Sequence, residues 1–138
     1  MTGRLPTFED LSGSLAHHET FLVFAETLEG WRSPVTPEGR ATLGRHYQWL
    51  ARHRASGALL FAGPVDVESL GPGTPPPVGR VTGILVFRAA SRSEAQAIAQ
   101  NDPFHLAEFR KNHVHSWSIR FIQPELEAAL RTTLSRNP

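Results

Sequence analysis

Ser91 to Trp117 reads SRSEAQAIAQNDPFHLAEFRKNHVHSW, and its period changes half-way. Ala95, Ile98 and Ala99 recur at steps of three and four, as on one face of a helix. Ser91 and Glu94 have the spacing of a capping box at its start. Asp102 continues the same face, and Pro103 biases Asp102 away from helical backbone, so the helix breaks there. Phe104 to Phe109 read as a short further turn. From His113 to Ile122 the period is two: His115, Trp117, Ile119 and Phe121 share one face, and Val114, Ser116, Ser118 and Arg120 the other. A helix thus hands over to a strand through an acidic joint, with the carboxylate on the helix's apolar side.

Upstream, Thr20–Thr27 (TFLVFAET) is aromatic and β-branched, with apolar residues on both faces at its centre. That predicts a strand covered on both sides. One helical layer supplies one cover, and a second subunit is the economical source of the other. Thr36-Pro37-Glu38 offers an N-cap, a proline at the first helical position and an acid in the first turn. The helix runs to Ser56 and stops at Gly57. Its predicted inward stripe is Leu43, His46, Tyr47, Leu50, Ala51 and Arg54. Ala58–Val65 is a second strand, ended or bent at Gly63-Pro64 because proline cannot donate to a ladder. The run Gly71-Pro72-Gly73-Thr74-Pro75-Pro76-Pro77 is a stiff exposed connection. Arg80–Phe87 is a third strand. Leu126, Ala129, Leu130, Thr133 and Leu134 give Pro124–Arg136 one helical side to bury.

The order β-α-β-β-α-β, then a helix, is the ferredoxin-like plan of the α+β class, an antiparallel four-stranded sheet with two helices on one face. Residues 1–19 are expected to be an extension with one helical turn near Phe8–Leu11, and His17 and His18 a surface pair. Residues 20–122 form the domain, and 123–138 a helical extension.

The 138 residues suit one domain with its own core. Net charge is +1, and thirteen of the fourteen basic residues are arginines scattered along the chain, so no nucleic-acid footprint is expected. The lack of cysteine excludes disulfides, thiol catalysis and zinc–thiolate sites, and fits a cytoplasmic protein. No signal peptide and no membrane span are expected, since no apolar run approaches ~18 residues.

In the ferredoxin-like plan the two helices lie side by side, which brings His46 to Asp102. A carboxylate on one imidazole nitrogen fixes the tautomer and leaves the other nitrogen free as a base. Such a base contributes ~100–10,000-fold to rate. The bland reading is that Asp102 only caps the next turn and His46 is a satisfied core histidine. His105 lies three residues after Asp102, on the following turn, and reads as rim decoration rather than as a catalytic group. Arg54 either caps its helix or meets an acidic substrate. His113 and His115 share a strand face from which they could chelate a metal with His46. No carboxylate has ligand spacing beside them, so no metal is expected. Trp49, Phe61, Phe104 and Trp117 read as core or pocket wall.

The blocks Arg45–Leu50 (RHYQWL), Gly57–Pro64 (GALLFAGP), Ala90–Ala95 (ASRSEA), Asn101–Phe104 (NDPF) and Val114–Ile119 (VHSWSI) resemble the YCII-like, or YciI-related, domain family over roughly residues 20–122. The resemblance implies a dimeric α+β barrel, two ferredoxin-like sheets packed face to face, which agrees with the uncovered sheet face inferred above. It implies a His–Asp active pair, carried onto His46 and Asp102. It also implies chemistry without a cofactor, since the family includes a dehydrochlorinase of a chlorinated hydroquinone, and its superfamily includes isomerases and cofactor-free monooxygenases. Three features depart from the pattern: the terminal extensions, the proline-rich segment, and His105, His113 and His115.

The resulting expectation is a cofactor-free acid/base enzyme, a lyase, isomerase or hydrolase, acting on a small aromatic or lactone-like molecule. His46 and Asp102 are the catalytic pair. Tyr47, Phe61, Gly63, Pro64, Phe104 and His105 are the substrate-binding candidates. A homodimer through the sheet face is expected. The alternatives are a dimeric small-molecule-binding or accessory protein without turnover, and a cofactor-free monooxygenase.

Overall fold

The computed structural model describes residues 3–13, 19–67, 70 and 74–136, with side chains as far as 131 in the last helix. In chain order the elements are α1 (Phe8–Leu11), β1 (Thr20–Thr27), α2 (Pro37–Ser56), β2 (Leu59–Pro64), β3 (Val81–Arg88), α3 (Arg92–Gln100), α4 (Pro103–Leu106), β4 (Arg110–Trp117) and α5 (Pro124–Arg136). The strands form one antiparallel sheet in the order β2-β3-β1-β4. This is the ferredoxin-like α+β fold that the element order predicts. His17 and His18, Gly71 to Gly73, and the side chains of Thr133 and Leu134 lie outside the described residues.

Local chemistry sets the element ends. Thr36 Oγ1 accepts from the Gly39 N–H at 3.0 Å and Pro37 opens α2. Gly57 ends it in the left-handed region at φ 83°, where a side chain would be strained. Ser91 Oγ accepts from the Glu94 N–H at 3.1 Å, and the Glu94 carboxylate accepts from the Ala90 N–H at 3.1 Å. The second bond falls one residue earlier than in the standard capping box.

Two differences from the predicted elements change which residues face the helices. First, the buried positions of α2 are Gly39, Thr42, His46 and Trp49, a stripe turned from the predicted one. Only His46 belongs to both. Trp49 fills the space over Phe87, whereas Tyr47, Ala51 and Arg54 are exposed and Leu43 and Leu50 half-buried. Second, β4 starts at Arg110 and ends at Trp117. Its eight residues pair one-to-one with the eight of β1, Thr27 opposite Arg110 and Thr20 opposite Trp117. The partner's length therefore bounds the strand, and the polar start Arg-Lys-Asn concealed it.

Phe21, Val23 and Ala25 of β1 face the helices, with Leu85 and Phe87 beside them. Trp49, Ala95 and Ala99 close this layer from above. On the opposite face, Val86 packs with Ile119, and Leu22, Leu60, Ile122 and Leu130 join them. The chain thus covers part of its own second sheet face with the segment after β4 and with α5. The N-terminal extension docks on the same segment: the rings of Phe8 and Phe121 meet edge-on at 5.6 Å, and Ser12 bridges Phe121.

Candidate active site

The break at Asp102-Pro103 sets the centre of the site. Asp102 is fully buried and does two things at once. Its Oδ1 accepts from the Phe104 N–H at 3.0 Å, capping α4, and lies 2.6 Å from Nδ1 of His46. Its Oδ2 accepts from the Asn112 side-chain amide at 3.1 Å, which also donates to the Ala99 carbonyl at 2.9 Å. The cap and the histidine pair are therefore one arrangement. Burial pushes the Asp102 carboxyl up. The hydrogen bond and charge of His46, with the Asn112 and Phe104 donors, outweigh that and hold it below the usual carboxylate range.

An ionised carboxylate only accepts, so His46 presents Nδ1–H to Asp102. The His46 ring is stacked between Phe104, at 4.1 Å between centroids, and Trp49, at 5.7 Å. Among the described residues nothing hydrogen-bonds its Nε2. The ring borders a cavity of about 560 Å³, within the range of small-molecule sites. Tyr47, Gly63, Pro64 and Phe104 line that cavity with His46, joined by Trp31, Ile84 and Arg110.

The other sequence candidates lie elsewhere. Phe61 faces the second sheet face, opposite Val86, and does not line the cavity, because the irregular pairing between Leu59 and Phe61 turns it outward. His105 does not line it either. Its Nδ1 accepts from the Asn112 N–H at 3.1 Å and supports the start of β4. Arg54 is exposed, away from His46. His113 and His115 alternate with Asn112 and Val114, so they point away from the helices and cannot chelate with His46. His113 Nε2 lies 2.8 Å from Glu26 Oε1, and His115 meets the Phe24 ring. Among the described residues no cluster of three or more His, Asp or Glu side chains could hold a metal ion.

Two residues of the site escaped the sequence reading, Arg110 and Asn112. Both were hidden by placing the strand start at His113. The signal was the alternation Arg110, Asn112, Val114, Ser116, one strand face continued backwards by two positions. Arg110 is half-buried, and its guanidinium carbon lies 4.7 Å over the Phe104 ring. Burial pulls its pKa down from the ordinary arginine value, and the charge of Asp102 offsets part of that.

The YCII-related domain profile matches residues 21–118. The chain belongs to the YCII-related domain family. The match begins in β1 and ends just past β4, so both terminal extensions lie outside the YCII-related segment. No curated protein matches the chain. Among solved structures, this YCII-related chain is similar to a 5-chloro-2-hydroxyhydroquinone dehydrochlorinase from Burkholderia phenoliruptrix AC1100 in complex with 2,5-dihydroxybenzoquinone. Identity is 23% over 71% of this chain and 92% of that one, with a TM-score of 0.48. It is also similar to a dimeric ferredoxin-like protein of unknown function from Thermobifida fusca YX, at 15% identity over 77% and 98% of the two chains, with a TM-score of 0.36. Among the described residues, no helix is long and apolar enough to cross a membrane.

Proposed function

We propose that this YCII-related domain is a general acid/base enzyme acting on a small aromatic or lactone-like molecule. His46 Nε2 is the base and Asp102 its positioning partner. One observation carries this: Nδ1 of a buried histidine is held by a buried carboxylate at 2.6 Å while the ring borders an open cavity. In the reaction Nε2 takes a proton from a carbon acid. The released electron pair expels a leaving group in an elimination, or the proton returns at another carbon in an isomerisation. Asp102 stabilises the imidazolium formed in between. Tyr47 and Phe104 give the substrate apolar walls. At Gly63 no side chain keeps the ligand from the backbone. No step uses a cofactor.

The test uses a nitrobenzisoxazole, whose opening needs only a base. The C–H proton goes to His46, its electron pair completes the nitrile, and the N–O bond breaks to give a coloured phenolate. We expect turnover above buffer, lost by at least ~100-fold in His46→Ala. A wild-type rate no faster than buffer, or full activity in His46→Ala, overturns the reading and leaves a binding protein. Trp31 and Tyr47 on the cavity wall favour a second reading, a cofactor-free monooxygenase of an electron-rich aromatic. Its mark is His46-dependent oxygen uptake on a hydroquinone, without benzisoxazole opening.

We further infer a homodimer formed through the part of the second sheet face that α5 leaves uncovered, around Phe24, His115 and Trp117, with the protein in the cytoplasm. Light scattering is expected to give twice the chain mass. A dilute, fully stable monomer overturns the dimer.

A further inference from the structure

Arg110 is a charge in an expensive place. It leaves β4 on the helix side, at the strand's first residue. Where it runs, the neighbouring strands carry their smallest side chains. A Cβ built on Gly83 would lie 3.2 Å from Arg110 Nη1 and 3.4 Å from the Ala25 side chain. Ala25 and Gly83 are paired across β1 and β3. The guanidinium therefore lies in a trough of two small residues, beneath the Phe104 ring that also stacks on His46. Gly83, Arg110, Phe104 and His46 all border the one cavity.

This guanidinium is not satisfied by the protein. Its Nε is buried with no acceptor, and among the described residues no carboxylate stands within ion-pair distance. Asp102 acts on it only through space, both its oxygens being taken by His46, Phe104 and Asn112. Burying an unpaired cation is unfavourable, and a hydrophobic residue of similar size would pack there at less cost. Violations of this kind concentrate at functional sites.

We propose that Arg110 is the anion-recognition residue of the His46 cavity, and that its ligand is a small planar molecule bearing an anionic oxygen, a carboxylate or a phenolate. A guanidinium pairs with the two oxygens of a carboxylate through parallel N–H bonds in one plane, or with a single phenolate oxygen, and here it packs 4.7 Å from the centroid of the Phe104 ring. The proposal rests on the cavity assigned under Proposed function and deepens it. An anion formed when His46 removes a proton would meet Arg110 in the same pocket.

The test compares benzoate with benzamide, which differ in charge and little in shape, by calorimetric titration of the full chain. Wild type is expected to bind benzoate at millimolar concentration or better and to prefer it to benzamide. Arg110→Met should weaken benzoate by about 10–100-fold, with benzamide unchanged. Arg110→Lys should keep part of the preference, because the charge stays and the fork is lost. Thermal unfolding separates this from a structural role: Arg110→Met should be as stable as wild type or more so. Three results overturn the proposal: no benzoate binding to wild type, equal binding of benzoate and benzamide, or a benzoate preference intact in Arg110→Met. The two readings fail separately. If His46→Ala abolishes turnover while the two probes bind alike, the base stands and the anion site falls. If the Arg110-dependent preference holds while His46→Ala keeps full turnover, the reverse is true.

Discussion

Among the described residues the molecule has two histidine–carboxylate pairs, one on each face of the same sheet. His46–Asp102 spans 2.6 Å with side chains 8% and 1% exposed, and His113–Glu26 spans 2.8 Å with side chains 39% and 30% exposed. The chemical groups and distances are nearly the same, yet the surroundings differ. Asp102 is held from three directions, and His46 is clamped between two rings. Among the described residues Glu26 has no hydrogen-bond partner besides His113, and water reaches both. Distance alone is therefore a poor guide to which pair is a site. Fixed geometry on one nitrogen, in a ring that borders a cavity, separates the inner pair from the outer one.

Removing the carboxylate breaks the comparison most strongly. Asp102→Ala strips His46, the Phe104 N–H and the Asn112 amide of their acceptor in a buried place, and should cost about 3–5 kcal/mol. Glu26→Ala, at the surface, should cost at most about 1 kcal/mol. Denaturant unfolding of both variants measures the contrast, and equal losses would show that burial does not distinguish the pairs.

Asn112→Ala comes next, at about 1–3 kcal/mol, because it leaves one Asp102 oxygen without its donor and takes one of its donors from the Ala99 carbonyl. A loss below that range, by the same denaturation, would mean that Asn112 does not hold Asp102 in place.

Acid sharpens the comparison further. The folded Asp102 carboxyl lies below its ordinary value, so it binds fewer protons folded than unfolded. Its contribution is complete above the unfolded-state value of about 4 and drains away as pH falls through the lower folded value. The stability gap between wild type and Asp102→Asn should therefore narrow below about pH 4. A gap constant across the acid range would contradict the lowered carboxyl.

Why the inner pair could be read from the sequence and its surroundings could not is a matter of range. Asp102 follows Ala95 and Ala99 along one helical face, and Asp-Pro marks a break, both signals within ten residues. His46 was the one position shared by the predicted and observed stripes of α2. Trp49 reads as core or pocket wall but is left off the predicted inward stripe, because Leu43, Tyr47 and Leu50 make a second apolar row at the same spacing. Only the packing under the helix chooses between the rows. Arg110 and Asn112 carry no apolar signal, and their strand is defined by its pairing with β1, some ninety residues away in sequence. Phe61 was misplaced by a local irregularity in pairing that no alternation rule anticipates. The partial cover of the second sheet face by Ile119, Ile122 and Leu130 was likewise invisible, since the helical pattern of α5 says that one side is buried and not against what.

Salt gives the smallest effect and the most selective one. The coupling of each pair can be isolated by a double-mutant cycle, His46→Ala with Asp102→Ala and His113→Ala with Glu26→Ala. The outer pair is exposed, so its coupling should be at most about 1 kcal/mol and should fall on going from 0.01 M to 1 M salt, as the Debye length shrinks from about 30 Å to 3 Å. The inner pair lies where ions do not penetrate, and Asp102 and His46 touch through a hydrogen bond without intervening solvent. Its coupling should be larger and unchanged across the same range. If salt weakened both couplings alike, water and ions would have to reach Asp102. The clamp formed by Trp49, Phe104 and Asn112 would then be looser than its distances imply, and His46 would lose the fixed orientation on which the base role proposed for it depends.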